Sequence, residues 1–91
     1  MDFEWDEGKS EGNLRERGFG FDLAASIFLG PVLEAEDTRH DYGEVRIKAL
    51  GSVQGIILVV IYTDRDGIRR IISARRAKQK ERRLWQLFAG L

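Results

Sequence analysis

The stretch "IILVVIYT", residues 56–63, constrains this chain more than any other. Side chains alternate between the two faces of a strand. A run that is apolar at nearly every position and rich in β-branched residues therefore needs cover on both faces. It reads as the central strand of a sheet. Turn signals bracket it: "SVQG" before it ends in glycine, and "DRDG" after it carries the Asp-Gly pair that closes hairpins. Upstream, "EVRIKALG" alternates Val45, Ile47 and Ala49 with Arg46, Lys48 and Leu50, as a half-buried strand would, and downstream "IRRIISA" is a further strand. Two hairpins thus join three antiparallel strands. Ile56–Tyr62 is also the longest apolar run, and it is far too short to span a bilayer.

The flanks supply the cover. Phe3, Glu4 and Trp5 alternate like a short edge strand, and Asp6 stands where a helix N-cap belongs. A first helix is expected over Glu7–Arg17, ending at Gly18, where glycine takes the left-handed conformation without steric cost. Phe21–Leu29 repeats Leu23, Ala24, Ile27 and Phe28 at helical spacing until Gly30-Pro31 stops it. Val32–Asp37 is expected to be a strand, and Ala77–Phe88 a final helix with Ala77, Leu84, Leu87 and Phe88 toward the sheet. The resulting order is β-α-α-β-β-β-β-α, an α+β fold over residues 1–91 as one domain. Its helices are expected on one face of a twisted sheet, with Arg46, Lys48 and Arg70 emerging on the other.

With 91 residues there is room for one modest core. A chain that is 43% hydrophobic and 33% charged has the composition of a folded protein, not of a disordered one. It contains no cysteine, which excludes disulfides, zinc-thiolate sites and thiol chemistry. The acidic start "MDFEWDEGK" lacks the apolar core of a signal peptide, so a cytoplasmic location is expected. The formal net charge of zero hides a division. Residues 1–45 carry twelve acidic and four basic residues, and residues 46–91 carry eleven basic and three acidic ones. Six of the nine residues from Arg75 to Arg83 are basic, interrupted by Glu81 alone among acids. Such asymmetry points to an anionic partner for the second half, or to halves that neutralise each other in the fold.

The residue types present narrow the chemistry. No metal-ligand spacing, activated serine or phosphate-binding glycine loop is present; "GSVQG" lacks the lysine such a loop requires, so no metal and no cofactor is expected. Arginines, lysines and a few aromatics remain, and these suffice for cutting RNA without a metal. The 2′-hydroxyl of the substrate is already an internal nucleophile beside the scissile phosphorus. Arginine matches two phosphate oxygens and stays charged. Arg65 in the Asp64–Gly67 turn could reach over a groove or be an ordinary exposed residue. Arg75 and Arg76 leave their strand on opposite faces, so at most one of them serves a given site. Lys78, Lys80, Arg82 and Arg83 form either an RNA-binding face or a solvated one, and Lys9 and Asn13 on the first helix carry the same ambiguity. Trp85 is a base-stacking platform or part of the core. His40 and Tyr42 in "RHDYGE" are proton-transfer candidates or structural hydrogen-bonders, and Lys78 is a third proton-transfer candidate.

Taken together, "FEWDEGKSEGNLRERGFGFDLAASIFLGP", "RHDYGEVRIKALG" and "LVVIYTDRDGIRRIISARRA" resemble the BrnT family of bacterial type II toxins, ribonucleases related in fold to the RelE toxins. The resemblance covers nearly the whole chain. It implies a RelE-like fold, a metal-independent endoribonuclease that inhibits translation, and a BrnA-type antitoxin that supplies DNA binding. It further implies a heterotetrameric complex built on paired toxins. Carried over position by position, Arg65, Arg75 and Trp85 would be the functional residues. The chain departs from the family pattern at Arg17, where histidine is common, at Gly20, where serine or threonine is common, and at Trp85, where tyrosine is frequent.

The leading expectation is therefore an RNA-cleaving site in which Arg65 and Arg75 converge on one phosphodiester. Trp85, Arg76, Lys78, Lys80, Arg82 and Lys9 would bind the RNA, and His40 or Tyr42 would move the proton. The rival expectation is a non-catalytic nucleic-acid-binding or antitoxin-binding module using the same basic surface.

Overall fold

In the computed structural model, which describes residues 1–90, the run at 56–63 lies in the middle strand of five. The elements follow in the order β1 (Asp2–Trp5), α1 (Glu7–Arg17), α2 (Phe21–Ala25) continuing into a 3-10 turn (Ser26–Leu29), β2 (Leu33–Glu36), β3 (Ile47–Val53), β4 (Ile56–Arg65), β5 (Ile68–Arg76) and α3 (Gln79–Ala89). The strand order is β1-β5-β4-β3-β2. β2, β3, β4 and β5 pair antiparallel, and β1 adds a parallel edge to β5. Both hairpins close through two-residue loops, Gln54-Gly55 and Asp66-Gly67, whose four residues all have positive φ. That geometry matches the twist of the flanking strands.

Both faces of β4 are covered, as its composition requires. Leu58, Val60 and Tyr62 pack with Phe19, Phe21, Ala24, Ile27, Ile71 and Ala74 under α2 and the 3-10 turn. Val59 packs on the other face with Leu50, Ala77 and Trp85. Each such buried aliphatic side chain contributes roughly 1.5–3 kcal/mol. The helices are thus not all on one face: α1 and α2 cover one side of the sheet and α3 the other. The physical reason is β4 itself, whose Val59 side would otherwise stand in water. The inward stripe of α3 also differs from expectation. Glu81 and Trp85 are its buried residues, whereas Leu84, Leu87 and Phe88 are exposed. Ala77 is buried but precedes the helix, and its amide donates to the Ile57 carbonyl (2.9 Å).

The first helix begins and ends where the sequence predicts. Asp6 accepts from the Lys9 amide (3.0 Å), and Gly18 adopts φ 86°. Gly20 cannot cap α2 with a side chain. Instead, Ser10 reaches across from α1 and accepts from the Phe21 amide (2.9 Å). Asn13 is buried, not solvated, and donates to the Phe19 carbonyl (2.9 Å). Arg17 donates to Asn13 (3.1 Å) and to the Ala74 carbonyl of β5 (2.8 Å), tying α1 to the sheet.

One backbone approach sets the spacing between the 3-10 turn and β3. A Cβ added at Gly51 would lie 2.7 Å from the Cβ of Ile27 and 3.1 Å from Cγ1 of Val32. Gly51→Ala is expected to destabilise the fold by about 1–3 kcal/mol through overpacking. Thermal unfolding checks this: Tm should fall by about 4–8 °C for each kcal/mol lost, and an unchanged Tm contradicts the packing described.

Candidate active site

Side chains of β3, β4 and β5 that point away from α1 and α2 floor an open cleft of about 270 Å³. Val59 and Ile61 form its apolar base, and Lys48, Ser73 and Arg75 project from neighbouring strands. Residues Glu36–Arg39, where β2 leaves the sheet, make the wall. The loop carrying that wall is closed at its root by a hydrogen bond from the Asp37 amide to the Arg46 carbonyl (2.7 Å). Thr63 pins it further by donating to the Val45 carbonyl (2.7 Å).

Two carboxylates organise the cations. Asp37, only 8% exposed, takes a bidentate pair from Arg39 at 2.8 and 2.9 Å. The guanidinium holds this carboxyl down at about 2, well below the usual range, against the opposing effect of burial. Glu81, 9% exposed, takes a bidentate pair from Arg75 at 2.8 and 2.9 Å and a contact from Lys48 Nζ at 2.9 Å. Arg75 is the main reason its carboxyl also lies well below the ordinary value, with Lys48 and the Lys78 amide assisting. Arg75 in turn is raised by Glu81, with burial and the positive charge of Arg39 acting in the opposite direction. Arg39 engages Asp37 through Nε and Nη2, and Arg75 engages Glu81 through Nη1 and Nη2. Each guanidinium therefore keeps donors in hand, Nη1 on Arg39 and Nε on Arg75. Such an arrangement can receive an anion between cations whose orientation is already fixed.

The expected convergence of Arg65 and Arg75 does not occur. Both lie on the α3 side of the sheet but at opposite ends. Arg75 pairs in register with Val59, six residues before Arg65 on β4, which places the two backbones about 20 Å apart. Arg65 is the last residue of β4 and is bound to Glu44, to which its Nε donates at 3.1 Å. Trp85 is core, 5% exposed against Leu50, Val59 and Ala77, so its ring is not available to stack on a base. The helix turns by about 100° per residue, and the side chain large enough to fill the hollow over Leu50 and Val59 is the one that turned inward.

The remaining candidates are dispersed. Arg76 pairs in register with Leu58 and leaves β5 on the α1–α2 side, opposite to Arg75. Arg82 donates to the Ala77 carbonyl (2.8 Å). Lys78 is exposed at the N-cap of α3 and Lys80 on its first turn, and Lys9 is exposed on α1, beyond the sheet from the cleft. His40 directly follows Arg39 on the exposed wall loop, its ring 5.6 Å from that of Tyr42. Tyr42 makes a long hydrogen bond to Asp37 (3.5 Å) and lies under Arg46, whose guanidinium carbon is 3.9 Å from the ring centre.

Asp37, Arg39, Lys48 and Ser73 line the cleft, and Glu81 holds two of its cations from behind; sequence reasoning did not select any of them as a site. One signal was visible: Glu81 is the lone acid inside the basic run. The Asp37–Arg39 pair is local, but nothing in the sequence says that it faces Arg75. Among the described residues, no three His, Asp or Glu side chains gather as a metal site, and no helix is long and apolar enough to cross a membrane.

Against known families, the model described as "Ribonuclease toxin, BrnT, of type II toxin-antitoxin system" matches residues 5–81. No curated protein matches the chain.

A pH prediction follows from the two organising carboxylates. Their folded-state values lie below the ordinary value of about 4, so their stabilising effect is complete above that pH and is lost as pH falls toward 2. The urea midpoint should be nearly flat from pH 7 to 5 and drop steeply below pH 4. Asp37→Asn should flatten that drop, and a drop as steep as that of the parent protein contradicts the assignment.

Proposed function

The chain belongs to the BrnT family of ribonuclease toxins of type II toxin–antitoxin systems, and from that premise we propose that it cuts RNA in the cleft between residues 36–39 and the β3–β5 face. What supports this reading is a set of three cations, Arg39, Lys48 and Arg75, gathered on one open cleft from three separate segments. Each of them is oriented by a buried carboxylate.

The reaction we propose is transesterification. The substrate 2′-oxygen loses its proton and attacks the adjacent phosphorus, the P–O5′ bond breaks, and the departing 5′-oxygen is protonated. The products are a 2′,3′-cyclic phosphate and a 5′-hydroxyl. Arg39, Lys48 and Arg75 stabilise the extra negative charge of the phosphorane, the step at which fixed donors matter most. His40 is the proposed proton-transfer group: it is exposed beside Arg39 and makes no hydrogen bond among the described residues. Asp37 and Glu81 are fully engaged by arginine and serve to orient. Arg65, at the far end of the same sheet face, holds a flanking phosphate and takes no part in the chemistry.

The proposal includes independence from divalent metals. It also includes inhibition of translation in the cytoplasm, neutralisation by a BrnA-type antitoxin that carries the DNA-binding part, and paired toxins in a heterotetrameric complex. Purified protein incubated with RNA in EDTA should still cleave. Arg39→Ala and Arg75→Ala should each lower kcat by about 10²–10³-fold, the size of losing one oriented donor. His40→Ala should lower kcat by about 10²-fold or more. Arg65→Ala should raise KM several-fold while kcat stays within about 3-fold. RNA binding without cleavage under all conditions would establish the non-catalytic module instead.

A further inference from the structure

We propose that Glu81 is a positioning residue of the ribonuclease site, holding Arg75 and Lys48 where they grip the substrate phosphate. The inference rests on the cleft reading above. Glu81 belongs to α3, Arg75 to β5 and Lys48 to β3, so one carboxylate fixes cations from two strands to the first turn of a helix. Both of its oxygens are used. Oε1 accepts from Arg75 Nη1 (2.8 Å) and from the Lys78 amide (2.8 Å), and Oε2 accepts from Arg75 Nη2 (2.9 Å) and lies 2.9 Å from Lys48 Nζ. Four contacts from three residues fill its accepting capacity, which leaves it no part in proton transfer.

The exposure pattern fits an anchor. Glu81 is nearly buried, whereas the Arg75 and Lys48 side chains it holds are 33% and 40% exposed. Two parallel bonds fix the plane of the Arg75 guanidinium and leave its Nε directed by that plane. Lys48, otherwise free to turn about four bonds, keeps two ammonium donors while the third is tied. A buried ion pair adds little net stability over an apolar pair of the same size, so what this one supplies is position. Displacing a reacting contact by about 1 Å costs on the order of 10²-fold in rate.

The test is a mutant cycle on the full chain with a defined RNA. Glu81→Gln keeps the carbonyl oxygen that caps the helix and removes the charge that holds the cations. It should lower kcat at least ~10-fold with KM within about 3-fold. In a background lacking both cations, Lys48→Ala with Arg75→Ala, the same change should cost less than about 3-fold further, because Glu81 acts through those two side chains. A full multiplicative loss in that background overturns the inference, as does a normal rate for Glu81→Gln when Arg75→Ala is inactive. If Arg75→Ala itself cleaves at the normal rate, the cleft reading falls and this inference with it. A measurement on the unaltered protein stands independently of whether any variant folds. The Nη protons of Arg75 should give separate, slowly exchanging NMR signals; a single averaged signal from a freely rotating guanidinium overturns the inference.

Discussion

Everything in this fold follows from a central strand that is apolar on both faces. β4 cannot be satisfied by one layer of helix, because Leu58, Val60 and Tyr62 face one way and Val59 and Ile61 the other. α2 and the 3-10 turn seal the first side. α3 seals only part of the second, through Trp85 and Ala77 over Val59 and Leu50. Beyond its edge, Ile61 and its neighbours Lys48, Ser73 and Arg75 continue from Val59 as the floor of the cleft. The site is thus the stretch of sheet that the C-terminal helix leaves open.

Electrostatics then decides which cations matter. Exposed ion pairs contribute little to stability, and those of Arg65 with Glu44 and Arg70 with Glu4 are of that kind. Those at the cleft differ because their carboxylate partners are nearly buried: Asp37 under Arg39, and Glu81 under Arg75 and Lys48. The uneven distribution of charge along the chain is only partly neutralised by folding. Glu44 pairs with Arg46 and Arg65, and Glu4 with Arg70, across the division, while the cleft cations draw on Asp37 and Glu81 from their own halves. Arg65 sits at the other end of the sheet, joined to the cleft by a chain of contacts through Glu44, Arg46, Tyr42 and Asp37. This face therefore carries cations at both ends, but only those at the cleft are held by nearly buried carboxylates.

Much of the architecture was legible in the residues: the two hairpins, the Asp6 cap, the Gly18 stop, the Gly30-Pro31 break and the order of elements. These are local signals, each set by the conformational preference of a few neighbouring residues. The family could also be read, because its motifs are spread along the chain in order. The one-sided helix layer was an inconsistent expectation, since "IILVVIYT" already required cover on both faces. The apolar stripe assigned to α3 failed for a different reason. Leu84, Leu87 and Phe88 have the right spacing, but helical period fixes only which residues share a face, not which face turns inward.

By itself, then, the sequence determined the elements, their order, the two-sided burial of β4 and the presence of many cations in the second half. Only the tertiary structure decided which cations meet. It carried Arg39 from a loop and Lys48 from a neighbouring strand to Arg75, and it held Arg65 about 20 Å away along the same face. It also turned Trp85 inward and brought Glu81 of α3 to the cations of two strands, Lys48 and Arg75. The reason is that backbone preferences act over a few residues. The meeting of charges depends on strand register and on which helix face buries its bulk, and both are settled by packing across the whole molecule.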